Sequence, residues 1–229
     1  MKLRLIKKIQ EASDCYSFIF EKPIDFKFIP GQFLIYTIKN EIHDDRGEER
    51  YFTISSAPFE NELRLTTRIF KTPSTFKEDL TNLKEGEEIE TRGPEGDFFF
   101  DKNFSNHLFV SGGIGITPFR SILLDLKNKN QNPNIKLYYA NKNDEVVFKN
   151  ELENLNNKNF IIEYFIGDKN LTPEKIYEDY KVIENCAVYL SGPEPMVEQF
   201  SQDLIKKGIP ETNIKRDYFP GYLNIWTQN

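Results

Sequence analysis

The spacing of apolar residues changes period near residue 100, and that switch constrains the chain more than any single motif. Before it, the period is mostly two, as in pleated strands. The runs "YSFIF" (16–20), "GQFLIYTI" (31–38) and "ELRLTTRIF" (62–70) are short and β-rich. In the last of them Leu63, Leu65, Thr67 and Ile69 share one face. Turn signals at Pro23, Pro30-Gly31, Pro58 and Gly86 separate these runs, a pattern that predicts a small antiparallel barrel. One helix is expected inside this half, at "STFKEDLTNL" (74–83), where Thr75 and Glu78 have capping-box spacing and Phe76, Leu80 and Leu83 recur at helical intervals.

From about residue 105 strand and helix alternate. "HLFVSG" leads into "TPFRSILLDLKNK", whose Phe119, Ile122, Leu123 and Leu126 form an i, i+3, i+4, i+7 stripe. "IKLYYA" (135–140) precedes a helical "EVVFKNELENL", "FIIEYFI" (160–166) precedes "TPEKIYEDYKV", and "CAVYLSG" (186–192) precedes "PMVEQFSQDLIKKG". Thr172 and Pro173 read as N-cap and first helical residue, and Gly208 and Pro210 as a stop. Such alternation implies a parallel sheet covered by helices. The expected architecture is therefore an antiparallel β-barrel over residues 1–102 followed by a parallel-sheet α/β unit over residues 103–229. The boundary falls within residues 99–106, and "KNKNQNPN" (127–134) reads as a polar loop.

Composition narrows the function classes. The 229 residues include 20 phenylalanines and 11 tyrosines, enough for real cores, and the net charge of −6 argues against a general nucleic-acid binder. Cys15 and Cys186 are the two cysteines, whereas a cysteine-bound iron–sulfur cluster needs four. No metal site is expected. "MKLRLIKKIQEASDCY" lacks an apolar stretch of signal-peptide length and no later run spans a bilayer, so a cytoplasmic protein is expected.

Three stretches carry chemistry. "VSGGIGITPFRS" (110–121) places glycines between a strand and a helix, where backbone can approach a pyrophosphate and the helix N-terminus offers free N–H groups. Thr117 reads as its cap, and Pro118 suits the first turn. A plain tight turn is the competing reading, because Pro118 takes the last position of a G-x-G-x-x-G pattern. "YLSGPEPMVEQF" (189–200) is a second strand end followed by a helix, the place where open α/β sheets bind ligands. Met196 and Phe200 within it read as core. The third is "GEERYFTISSAP" (47–58), an amphipathic strand by itself; its Arg50 has the fork geometry to grip a phosphate, and Ser74 and Thr75 stand at a helix start where phosphates bind.

The ordered set "GQF", "RYFTISSAP", "STFKEDL", "LKEGEEIETRGPEGDF", "SGGIGITPFRSI", "YYANKNDEVVF", "LSGPEPM" and "DYFPGY" resembles the ferredoxin–NADP⁺ reductase superfamily over almost the whole chain, and within it compact bacterial FAD oxidoreductases without an iron–sulfur domain. The resemblance implies that the barrel binds FAD and that the α/β unit binds NADPH or NADH. It places Arg50 on the flavin pyrophosphate, Phe52 against the isoalloxazine where relatives commonly have tyrosine, and Thr53 near its N5. Tyr51 and Thr67 join that set, Ser74 and Thr75 match a second phosphate-contacting turn, and Lys77 adds charge. Gly112, Gly113, Gly115 and Thr117 are implied at the nicotinamide dinucleotide, with Gly192 and Pro193 near its nicotinamide end. Ser191 stands where many relatives carry a cysteine beside the hydride path, and Asp217 where a carboxylate lies near the flavin. With Thr53, these two are the candidate catalytic residues. Phe219, Tyr222 or Trp226 are candidates to cover the flavin from a C-terminal tail, against the alternative of a tail packed on the barrel. His43 and His107 read as surface or structural.

The implied activity is hydride transfer from NAD(P)H to FAD, then electron delivery to a separate acceptor such as a ferredoxin or flavodoxin. Lys142 would suit a 2′-phosphate and Asp144 and Glu145 would oppose one, so the coenzyme stays open. A free-flavin reductase is the enzyme alternative, although it has no need of the phosphate contacts. An electron-transfer subunit of a larger complex and a silent nucleotide-binding sensor are the remaining alternatives.

Overall fold

The computed structural model describes residues 1–39 and 44–219, with Phe219 described in its backbone only. Its first half is a six-stranded antiparallel sheet built from β1 (Lys2–Ala12), β2 (Cys15–Glu21), β3 (Phe33–Thr37), β4 (Glu49–Thr53), β5 (Glu62–Arg68) and β6 (Glu88–Glu95) in the order β4-β3-β6-β1-β2-β5. A bridge between Ile54 and Leu65 draws the two end strands together, which gives the sheet its barrel form. Inward-facing Leu3, Leu5, Phe18, Phe20, Leu34, Tyr36, Phe52, Leu63 and Leu65 fill the interior. Helix α1 (Thr75–Asn82) adds Phe76 and Leu80 to that core.

The second half alternates as its sequence period requires. Strand β7 (Asn106–Gly112) runs through a 3₁₀ turn at Gly113–Gly115 into α2 (Ile116–Asn128). Then come β8 (Asn134–Asn141), α3 (Lys149–Glu153), β9 (Phe160–Ile166), α4 (Pro173–Tyr180), β10 (Cys186–Pro193), α5 (Glu194–Lys206) and β11 (Ile214–Phe219). All five strands are parallel, in the order β11-β10-β7-β8-β9. From β7 the chain winds outward to β8 and β9, then returns to the other side as β10. The strand order therefore reverses between β7 and β10, and in open α/β sheets the crevice outside such a reversal is where ligands bind.

Both faces of this sheet are covered, so every residue of β10 is buried and only the first residue of β7 is partly exposed. Phe109, Phe119, Tyr139 and Tyr189 pack on one face, and Val110, Tyr138, Val188, Leu190 and Leu204 on the other. The first cluster includes Cys15 and Phe98, which joins the barrel to the helical unit through apolar contact. Phe109 and Phe119 stack at 4.6 Å, and each fully buried aromatic of this kind contributes about 2–3 kcal/mol.

Several details depart from the sequence expectation. Ser74, not Thr75, caps α1: its side chain accepts from the Lys77 N–H, and Thr75 instead accepts from the Asp44 N–H. Thr117 lies inside α2 after the cap position, with its hydroxyl donating to the Ile114 carbonyl. The helix expected over "EVVFKNELENL" is confined to Lys149–Glu153, because Phe148 adopts φ +61° and breaks the run. His107 is buried, its ring 4.2 Å from that of Phe100, and burial pushes it down to about 4, so it is neutral at physiological pH. His43 lies outside the described residues. Cys15 and Cys186 are both free and buried in different halves, and burial pushes each thiol up to about 12. No helix among the described residues is long and apolar enough to cross a membrane.

Candidate active site

Strand β4 ends where the barrel meets the other half, and a cavity of about 210 Å³ opens there. Arg50, Tyr51, Phe52, Thr53, Thr66, Thr67, Phe70 and Ser74 line it from the barrel, and Ile114 and Thr117 from the glycine turn and α2. Motifs some sixty residues apart in sequence thus share one wall. Alternation along β4 explains the barrel side. Tyr51 is 52% exposed and meets Phe33 edge-on, whereas Phe52 is buried, packed against Tyr36 and Phe76 while forming part of the cavity wall.

The cavity's electrostatics suit an anion with a planar apolar group. Arg50 is 6% exposed. Its guanidinium donates to the Arg46, Gly47 and Glu49 carbonyls, pairs with Asp44 at 2.9 Å and lies 5.4 Å over the Phe76 ring, while its Nε has no hydrogen-bond partner among the described residues. Arg46 and Lys77 stand at the same cavity, beside the N-terminus of α1 at Ser74. Lys77 donates to the Arg68 carbonyl at 2.7 Å. Three cations, an orphaned buried donor, a helix N-terminus and a row of hydroxyls and aromatic rings fit the phosphates and ring of a flavin nucleotide. Thr75 is not among the lining residues; it is engaged with Asp44.

The remaining predicted residues form a second cluster against the first. The glycine turn lies directly on the end of β10: a Cβ on Gly115 would fall 2.2 Å from the Ser191 carbonyl oxygen. Gly115 is therefore required by backbone packing. A Cβ on Gly112 or Gly192 would instead meet the flexible end of the Met196 side chain at 2.7 and 2.8 Å, and on Gly112 also Pro193 at 3.0 Å. Gly113 differs, with φ +53° and no clash: a Cβ there would sit in ordinary van der Waals contact, 3.7 Å from an Arg68 nitrogen and 3.7 Å from the Asn141 side-chain oxygen. Next to this turn, β10 pairs with β11 so that Ser191 is opposite Asp217, and the serine hydroxyl donates to Asp217 Oδ2 at 3.2 Å. Burial pushes the Asp217 carboxyl up, the Ser191 hydrogen bond opposes this and the Asp97 charge adds to it, leaving the group at about 7. The Phe219 side chain, Tyr222 and Trp226 lie outside the described residues.

Sequence reasoning missed three features of the site. Arg68 ends β5 beside Gly113, held by Asp14 at 3.0 Å, and puts a cation from the barrel at the glycine turn. Strand β11, which carries Asp217, shows in the sequence only as part of the terminal motif "DYFPGY". A further hollow of about 170 Å³ lies beyond the ends of β8 and β9, lined by Asn141, Phe165, Lys169, Met196, Gln199 and Phe200. Its polar residues follow separate strands, and no sequence window contains them together.

Residues 109–202 match the family described as the oxidoreductase NAD-binding domain. Flavohemoprotein A of Dictyostelium discoideum is 29% identical over 243 residues, which cover 96% of this chain and 60% of that protein. The glycine betaine monooxygenase reductase subunit of Pseudomonas aeruginosa is 35% identical over 161 residues, 67% of this chain and 42% of the relative. The chain thus spans about 60% or less of the length of these curated relatives. Among solved structures, the cytochrome P450 reductase of Amycolatopsis superposes with TM-score 0.81 at 18% identity, covering 96% of this chain and 70% of that one. The ferredoxin-NADP+ reductase of Plasmodium falciparum gives 0.79 at 21% identity, covering 95% of each chain. The chain has the fold of the ferredoxin-NADP+ reductase structures, and residues 109–202 match the oxidoreductase NAD-binding domain.

Proposed function

We propose that this chain passes hydride from NAD(P)H to FAD held in the barrel and delivers the electrons to a separate acceptor, with residues 1–102 as the flavin unit and 103–229 as the nucleotide unit. The observation that carries this reading is the shared cavity: Arg50, Thr53, Thr67 and Ser74 from one half face Ile114 and Thr117 from the other. Bound FAD would supply the redox chemistry, accepting a hydride and releasing electrons onward.

The protein's part is to bind, orient and keep the site dry. Arg50 and the α1 N-terminus would hold the flavin phosphates, with Lys77 adding charge. Tyr51 and Phe52 would border the ring, and the Thr53 hydroxyl would meet its polar edge. Arg68 and Gly113 would hold the dinucleotide phosphates at the end of β7, and the hollow at Asn141, Phe165 and Lys169 would take the adenosine end. Ser191 and Asp217 would stand at the nicotinamide end, where a carboxyl near neutrality could hold or release a proton through the serine hydroxyl. The phosphate-binding set favours bound FAD over free flavin as the working form.

Anaerobic stopped-flow mixing of the FAD-loaded protein with NADH and, separately, NADPH tests the reading. Rapid bleaching of the oxidised-flavin band with at least one coenzyme is expected. Protein that cannot retain FAD, or that neither coenzyme reduces, would refute it.

A further inference from the structure

The two halves are tied together by a buried ionic clamp that the reading above leaves without a role. Arg120 projects from the second turn of α2, five residues beyond Gly115, and is 3% exposed. Its guanidinium crosses to the barrel and donates to the Ser55 carbonyl at 2.7 Å and to both Glu60 oxygens at 2.9 and 3.1 Å. It also pairs with Glu151 of α3 at 2.7 Å and lies 5.1 Å over the Phe148 ring. The neighbouring Ser121 hydroxyl donates to the Ser56 carbonyl at 2.7 Å. Burial pushes the Glu60 carboxyl up, but the Arg120 hydrogen bonds and charge outweigh it and hold the group below its ordinary value.

What the clamp grips matters. The Ser55–Glu60 turn continues directly from Thr53 of β4, and Ser55 and Ser56 are bonded in turn to β5 through Arg64 and Thr66. Arg120 therefore reaches the flavin-side strand through two residues of backbone, and the glycine turn through one turn of helix. An apolar contact would hold the halves together at lower desolvation cost, yet it would let them slide; paired, directional bonds to a charged fork fix orientation as well. Halves joined by modest interfaces otherwise move relative to each other.

We propose that Arg120 is a positioning residue: by clamping the Ser55–Glu60 turn onto α2, it fixes β4 relative to the 113–117 turn and so the distance over which hydride moves. The inference rests on the hydride-transfer reading above. It predicts a particular division of effects, because a misplacement of about 1 Å lowers a transfer rate by up to about a hundredfold while leaving each binding surface intact.

The test compares FAD-saturated wild type, Arg120→Lys and Arg120→Gln by single-turnover flavin reduction, with 4-deuterated and unlabelled coenzyme. Asp179→Asn serves as a control; Asp179 bonds Lys136, Tyr138 and Lys175 on the far side of the sheet, so the variant lowers stability without touching the clamp. In Arg120→Gln the limiting reduction rate should fall about tenfold or more with its isotope effect retained, while FAD content and coenzyme Kd stay within about twofold of wild type. Arg120→Lys should recover part of the rate, and Asp179→Asn should keep all of it. A folded Arg120→Gln with an unchanged limiting rate, or one whose loss tracks FAD content or coenzyme Kd, overturns the proposal. Should Arg120→Gln not fold, Glu151→Gln removes one bond of the clamp, and an unchanged limiting rate in that variant counts equally against it. Wild type that neither coenzyme bleaches would sink the hydride-transfer reading and this proposal together, whereas bleaching wild type with an indifferent clamp sinks the proposal alone.

Discussion

Asp217→Asn removes a carboxyl that burial, opposed by Ser191 and aided by Asp97, carries from its ordinary 3.8 up to about 7. At about 1.4 kcal/mol for each factor of ten in proton affinity, that displacement has a ceiling of about 4 kcal/mol. The residue is partly exposed, and solvent screening reduces the expected value to about 2 kcal/mol. The folded state holds the proton more tightly than the unfolded chain does. Between pH 4 and pH 7 the folded protein therefore carries a proton that the unfolded chain has lost, and stability falls as pH rises through that window. Above about 7 both states are ionised and the loss is complete. Asparagine has no such proton, so the variant should match wild type near pH 4 and exceed it by about 2 kcal/mol at pH 8. For a chain of this length that difference is a rise of about 4–8 °C in Tm. Thermal unfolding of the FAD-saturated proteins at pH 5, 6, 7 and 8 measures it, and the pH profile of flavin reduction should lose a step near 7 in the variant. A variant less stable than wild type at pH 8, or one with the same slope against pH, would refute the reasoning.

Other changes test separate parts of the site. Arg50→Gln removes a charged fork from the cavity at the end of β4 and, if flavin binds there as proposed, should weaken FAD binding by about 10–100-fold, read by flavin fluorescence titration. Arg68→Gln should raise the KM for coenzyme about tenfold and flatten its dependence on ionic strength, with FAD affinity unchanged. Gly115→Ala drives a Cβ into the Ser191 carbonyl and should destabilise the fold by at least about 2–3 kcal/mol in a denaturant titration. Gly113→Ala meets only ordinary van der Waals contacts and should cost only about 1–2 kcal/mol for its left-handed backbone, so the order of the two is the check.

The sequence discloses those parts of the molecule that local physics decides. The switch in period locates both halves, and the β7–α2 unit is legible because its apolar stripe and its Gly/Pro punctuation agree. The cap of α1 is a tie at the level of sequence: Ser74 and Thr75 are both competent, and only the Asp44 contact of Thr75 decides it. Strands β1, β6 and β11 escape notice because their charged residues look like surface loop until partners cover the alternate positions. Arg68 and Arg120 resemble any other arginine in the chain; what distinguishes them is contact across large sequence separations, 65 residues in the case of Arg120 and Ser55. The glycine motif lies between β7 and α2, as its sequence predicts, yet its spacing does not reveal that Gly115 serves the packing of β10 while Gly113 faces Arg68.

Among the described residues strand β11 pairs with a strand on one side only, and the Asp217 it contributes is set against β10 by that pairing. An edge of this kind can peel back while the four strands behind it remain paired, because local opening needs only the free energy of its own contacts. Heating should then silence the protein before it melts. Backbone amides of 214–219 should exchange with solvent ahead of those in β10, and the midpoint of heat inactivation should lie below that of unfolding. In this architecture the lifetime of the activity is set by one hem of the sheet, and the lifetime of the fold by its interior.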